Sequence, residues 1–257
     1  MLTRKFGGMG FTLIQKIERL KAKREPTMNL EIYKKVQNAA KEVHGMLGEY
    51  IDSESTEQSI ADKAIELLDE HGITDTWYHN VPAFVLLGSR SCVSISGRDY
   101  QPSDEAVGEK NLVTVDLSPM LGSVWGDCAR SYFVERGKCV TSPQTESFQE
   151  GAFVEIELHR LMQEFVTPET LFSELYEFGN HQIEMLGYEN LDFLGNLGHS
   201  IETDSSKRRF IDENCTDTLG SVGLFTFEPH VGKLGGNWGF KHENIYYFGS
   251  GDKAVEL

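Results

Sequence analysis

Asp116, Asp127, His199, Glu228 and Glu243 form an ordered series of four carboxylates and one imidazole, each set in a strand-like or glycine-flanked segment. Asp116 closes an apolar run from Leu112, and Asp127 follows eleven residues later within the stretch Val124 to Val134. His199 stands after Gly198, Glu228 after Phe225, Thr226 and Phe227, and Glu243 before Asn244, Ile245 and Tyr246. Such a set can hold two divalent ions. Hard oxygen donors with one imidazole suit Mn(II), Fe(II), Co(II) or Zn(II), and the absence of a cysteine ligand disfavours a structural zinc site. A buried carboxylate is costly without a compensating charge, which a divalent cation supplies. Two ions about 3.5–4 Å apart can polarise a carbonyl and acidify a shared water, as hydrolysis near neutral pH requires.

The order and local context of these five residues resemble the pita-bread metallohydrolase superfamily of methionine aminopeptidases, Xaa-Pro aminopeptidases, prolidases and creatinases. The resemblance runs from about Met28 to Phe248 and is closest to short prolidase-like members, through Trp77, Tyr78 and His79 and the segment Ser96 to Asp104. It implies a dinuclear site in which Asp116 binds one ion, His199 and Glu228 bind the other, and Asp127 and Glu243 bridge them. Glu228 is also the expected proton-handling carboxylate, since a carboxylate beside an activated water can take its proton and return it to the leaving nitrogen. His79 resembles the histidine that relatives place near the substrate amide, where it could donate a hydrogen bond as charge develops. A satisfied structural histidine is its alternative. His230, two residues after Glu228, is a candidate substrate-binding residue of the same pocket, with a core position as its alternative, and His242 is expected to face away.

At the position where many relatives carry a second substrate histidine, seven residues after the metal-binding one, this chain has Ser206. Serine carries no positive charge, so stabilisation of a developing anion would be weaker or supplied by another group. The neighbouring Lys207, Arg208 and Arg209 read as a solvated basic turn, with binding of a substrate carboxylate as the alternative.

The elements that must position these residues follow from periodicity. Apolar residues from Leu30 to Tyr50 recur at three- and four-residue spacing, which predicts a helix with one buried face. A second helix is predicted over 56–71, with Ser55 and Gln58 in capping-box positions and Gly72 as a left-handed stop. Strands are predicted at 83–87, 112–117 and 124–134, helices near 144–163 and 168–187, the latter capped by Thr167 with Pro168 first, and strands at 222–228 and 239–248. In a continuous strand Asp127 would share a face with Ala129, Ser131 and Phe133. Helices, strands, helices, then strands make an α+β chain. The resemblance adds a curved antiparallel sheet covered by helices and two pseudo-twofold halves, which no obvious sequence repeat displays.

The 257 residues carry no linker-like stretch, so residues 29–257 are expected to form a single pita-bread catalytic domain. Residues 1–28 form a basic N-terminal extension without the apolar core of a secretory signal peptide. A formal charge of −16 argues against a nucleic-acid surface, and no apolar run approaches the roughly 20 residues that span a bilayer. Four cysteines without C-x-x-C spacing favour free thiols and a cytoplasmic location. The leading expectation is a dinuclear peptidase cleaving short peptides at the amino end, with Xaa-Pro bonds among the candidates and homodimerisation left open. A creatinase-type C–N hydrolase and a catalytically inactive binding module with the same fold are the alternatives.

Overall fold

The computed structural model describes residues 29–257, so the basic extension 1–28 lies outside the described residues. Helix α1 (Leu30–Tyr50) buries Val36, Ala40, Val43 and Leu47 on one stripe, as its spacing predicts. Helix α2 (Glu57–Glu70) starts one residue later than expected. Thr56 is its N-cap: Ser59 N–H donates to Thr56 Oγ1 at 3.1 Å, and Thr56 N–H donates to Ser59 Oγ at 2.9 Å. Ser55 is engaged instead with Asp52, whose N–H it accepts at 3.1 Å. Gly72 takes the left-handed conformation, with φ 73°.

These helices share a core with a four-stranded antiparallel sheet ordered Ala83–Leu87, Lys110–Leu117, Cys128–Glu135, Lys138–Val140. Val85, Val113, Val115 and Leu117 reach that core from the sheet. Helices α3 (Glu146–Phe165) and α4 (Phe172–Met185) share a second core with the C-terminal strands, through Phe148, Leu158, Phe172, Phe225, Phe227 and Tyr246. Helix α4 begins at Phe172 rather than Pro168. Thr167 N–H is taken by Thr170 Oγ1 at 2.9 Å and the Pro168 carbonyl by Gly220 N–H at 2.8 Å, so this segment pairs sideways and Glu174 caps the helix by accepting from Leu171 N–H.

Each half therefore sets a helix pair against strands, and one buried motif repeats between them. In α1, His44 meets the Tyr132 hydroxyl at 2.7 Å and the Cys128 carbonyl at 2.9 Å. In α3, His159 meets the Tyr246 hydroxyl at 2.6 Å and the His242 carbonyl at 3.0 Å. The histidine and tyrosine are 88 residues apart in the first pair and 87 in the second, which exposes the pseudo-twofold relation that composition and periodicity conceal.

Two of the expected strands are interrupted, both at candidate ligands. The stretch 124–134 splits into Val124–Trp125 and Cys128–Glu135, with Asp127 in the gap, and 239–248 splits into Gly239–Lys241 and Asn244–Phe248 around Glu243. The cause at Asp127 is a side chain of α1. Gln37 Nε2 donates to the Asp127 carbonyl at 2.6 Å, and its Oε1 accepts the Asp127 N–H at 3.1 Å, replacing the sheet ladder. Gly126 makes room, since a Cβ there would stand 2.9 Å from Gln37 Oε1. Glu243 is held by a single bridge to Ala129, with its N–H 3.0 Å from the Ala129 carbonyl, which joins the two halves at the site.

Candidate metal centre

The five candidate ligands converge between the halves. Asp116 comes from the second strand of the four-stranded sheet, Asp127 and Glu243 from the two strand breaks, and Glu228 from just beyond Phe225–Phe227. His199 is brought in by Gly198. This glycine has φ 138°, and a Cβ on it would lie 2.5 Å from the Thr226 carbonyl, so only glycine allows the backbone to lie so close. The His199 N–H then donates to Thr226 Oγ1 at 2.9 Å.

Two overlapping clusters result. Carboxylate oxygens of Asp116, Asp127 and Glu243 lie within 4.8 Å of one another. His199 Nε2 lies 3.4 Å from Asp127 Oδ2 and 3.7 Å from Glu228 Oε1. Asp127 belongs to both. Glu243 is fully buried, and neither of its carboxylate oxygens has a hydrogen-bond partner among the described residues. Buried polar atoms are almost always satisfied, and an unpaired buried carboxylate is among the costliest exceptions. A donor set of oxygens plus one imidazole around such an orphaned group fits a hard or borderline divalent cation.

The electrostatics carry the same imprint. Burial, then the charges of Asp127, Glu228 and Asp116, hold Glu243 well above the usual carboxylate range. Burial also raises Asp127, to about 7, against the opposing pull of His199. Burial pushes Glu228 up as well, but Lys241 and His199 outweigh it and keep Glu228 below the ordinary glutamate value. Lys241 is a site residue the sequence reading missed: its Nζ lies 2.5 Å from Asp116 Oδ2 and 3.3 Å from Glu228 Oε2. Burial disfavours its charge, yet Asp116, Glu228 and Glu243 hold the ammonium well above its ordinary pKa. Its position two residues before Glu243 was the available clue, because alternate strand residues share a face.

The cluster opens into a cavity of about 380 Å³. His79 and His230 both line it. His79 has a left-handed backbone, φ 47°, as does Asn80 at φ 61°, and strain of this kind persists only where surrounding structure enforces it. His230 is buried, with Nε2 2.6 Å from the Ser91 carbonyl, so that ring nitrogen is already engaged. His242 lies outside the cavity lining, next to His159.

Aromatic residues form much of the remaining wall. Trp77 donates Nε1–H to the Gly126 carbonyl at 2.9 Å and stands edge-on to His199 at 5.8 Å. Trp125 packs on both, 4.5 Å from Trp77 and 5.8 Å from His199. Phe84, Phe193, Leu194 and Phe210 complete an apolar flank. The basic turn departs from expectation. Ser206 is exposed and bonds Asp204 at 2.7 Å, Lys207 is exposed, and Arg209 pairs with Glu202 and Asp217, but Arg208 lines the cavity. No periodic pattern marks it, because it follows an irregular segment.

The sequence model of metallopeptidase family M24 matches residues 31–249, and the chain belongs to that family. A search of curated proteins returned no match. Among solved structures the chain is similar to an X-Pro aminopeptidase from Thermotoga maritima MSB8, at 16% identity and a TM-score of 0.73, over 93% of this chain and 64% of that one. It is similar to a prolidase from Pyrococcus furiosus, at 18% identity and 0.74, over 97% and 73%. It also resembles a Xaa-Pro dipeptidase from Bacillus anthracis, at 14% identity and 0.73, over 90% and 61%. At these identities the likeness is one of fold, here the α+β pita-bread arrangement, and the chain spans roughly two-thirds of the length of those structures. No described helix is long and apolar enough to cross a membrane.

Proposed function

We propose that the protein is a dinuclear peptidase that hydrolyses short peptides at the amino end, with Xaa-Pro bonds as the first substrates to test. The observation that carries this reading is the pair of ligand clusters sharing Asp127, with the orphaned Glu243 carboxylate beneath them and an aromatic cavity above. Asp116, Asp127 and Glu243 would hold one ion, and Asp127, His199, Glu228 and Glu243 the other. When bound, two divalent ions polarise a scissile carbonyl and make an attacking water acidic near neutral pH.

The chain's own groups account for the rest. Glu228, ionised at neutral pH, accepts the proton of the attacking water at a carboxylate oxygen and passes it to the leaving nitrogen. His79 faces the same cavity and donates a hydrogen bond toward the substrate amide. The apolar flank of Phe84, Phe193, Leu194 and Trp77 receives a compact apolar side chain and excludes bulk water, as ligand pockets usually do. The Xaa-Pro preference is supported by the fold likeness to enzymes of that specificity, and manganese is the metal to try first among Mn(II), Co(II), Fe(II) and Zn(II).

The test is hydrolysis of a panel of Xaa-Pro, Met-Xaa and other short peptides by metal-reconstituted protein, followed by mass spectrometry. Cleavage should require added metal, and Glu228→Ala should lower kcat by about 100-fold or more without loss of the folded circular-dichroism spectrum. Turnover that survives both chelation and Glu228→Ala would sink the mechanism. Silence from protein shown to hold two ions would point to a small non-peptide C–N substrate.

A further inference from the structure

Arg208 is a half-buried cation whose orientation is fixed on three sides, and no carboxylate among the described residues forms an ion pair with it. Its Nε donates to the Ser205 carbonyl at 2.8 Å, and its guanidinium lies 4.6 Å over the Trp77 ring and 5.4 Å from that of Phe210. Those contacts leave Nη1 facing the metal-ligand cluster. Nη1 stands 3.4 Å from His199 Nε2, the ring nitrogen that faces Asp127 and Glu228. The guanidinium is permanently charged, planar and held by aromatic faces, so it would meet a developing negative charge without reorganising.

We propose that Arg208 donates a hydrogen bond to the oxygen of the scissile carbonyl as that oxygen gains negative charge, which rests on the peptidase reading above. No proton leaves the arginine, and proton transfer remains with Glu228. Position argues for this contact over recognition of a substrate's terminal carboxylate. The carboxylate of a dipeptide sits one residue beyond the reacting carbon, and successive Cα atoms are about 3.8 Å apart. Arg208 Nη1 is at the edge of the ligand cluster itself, where the reacting carbonyl must lie.

The experiment compares manganese-loaded wild type, Arg208→Ala and Arg208→Lys in calorimetric titrations with two phosphinic dipeptide analogues. In both, a tetrahedral phosphinate replaces the scissile amide; one has a free C-terminal carboxylate and the other a C-terminal amide. Metal content is measured for every protein. Arg208→Ala should weaken both analogues by about 100-fold at unchanged metal content, lower kcat far more than it raises KM, and be partly rescued in Arg208→Lys. Unchanged affinity for both analogues would overturn the proposal. Weakening confined to the free carboxylate would make Arg208 a terminal-carboxylate subsite instead, and loss of metal from Arg208→Ala would make it a support for His199; either result overturns it. Wild type that holds two ions yet binds neither phosphinate would overturn the peptidase reading and the arginine's role with it.

Discussion

Glu243 is a fully buried carboxylate with no hydrogen-bond partner among the described residues. A buried polar group left without a partner costs about 1–3 kcal/mol, and an apolar side chain of similar volume removes that cost. Glu243→Leu should therefore raise the Tm of metal-free protein while abolishing the further rise that metal gives the wild type. Thermal scans with and without Mn(II) check this, and a variant less stable than metal-free wild type would contradict it. The sequence offered the five candidate ligands because each sits in a short, distinctive context, and the fold brings them together. Lys241 was not legible there, and Arg208 stood only as one of three basic residues in a turn read as solvated, with binding of a substrate carboxylate as the alternative. Arg208 reaches the cavity through the path of an irregular loop and a stacking contact with Trp77, 131 positions earlier in the chain, and no local pattern records such an encounter.

At the level of elements, the sequence pattern located helices and strands well but made the strands too regular. Apolar alternation predicts an unbroken strand through Asp127, whereas tertiary contact breaks it there: Gln37 on α1 takes the backbone groups that the ladder would have used. The displaced helix starts after Thr56 and Leu171 have the same origin, since Ser55, Thr167 and Pro168 are drawn into contacts outside their helices. The consequence for the site is that the Gln37 amide sets the position of Asp127 through the Asp127 backbone rather than through its carboxylate. Gln37→Ala should weaken metal binding by about 10–100-fold, the usual effect of removing a group that orients a ligand, and cost about 1–3 kcal/mol for the unsatisfied Asp127 backbone. Metal titration alongside chemical denaturation separates the two effects. Wild-type metal affinity in the variant would show that the clamp shapes the strand but not the site.

Across the whole molecule, the two halves are pinned by equivalent buried histidines, and these link stability to pH. Burial holds His44 down to about 3 and His159 down to about 4, so both stay neutral in the folded protein through mild acid. Unfolding returns them to an ordinary value of about 6.5, where they take up protons. Below about pH 6.5 the unfolded state therefore binds more protons, and their contribution to stability falls as pH drops toward about 4. Asp127 and Glu155, both raised to about 7 mainly by burial, act in the opposite direction in the metal-free protein. The clean readout is thus a difference: between pH 7 and pH 4.5 the Tm of wild type should fall more steeply than that of His44→Asn or His159→Asn. Parallel slopes would show that neither histidine carries the linkage.

The placement of the indoles has an optical consequence. Of the three tryptophans, Trp77 and Trp125 pack against each other and against His199, and Trp238 lies elsewhere, against Phe148. Intrinsic emission is therefore weighted toward the candidate centre, and a cation arriving at His199 or a peptide entering beside Trp77 alters the surroundings of both emitters. With Trp238→Phe removing the distant one, unlabelled protein in a stopped-flow fluorimeter becomes its own reporter of loading. An emission spectrum indifferent to Mn(II) in that variant would mean that the ion binds away from His199.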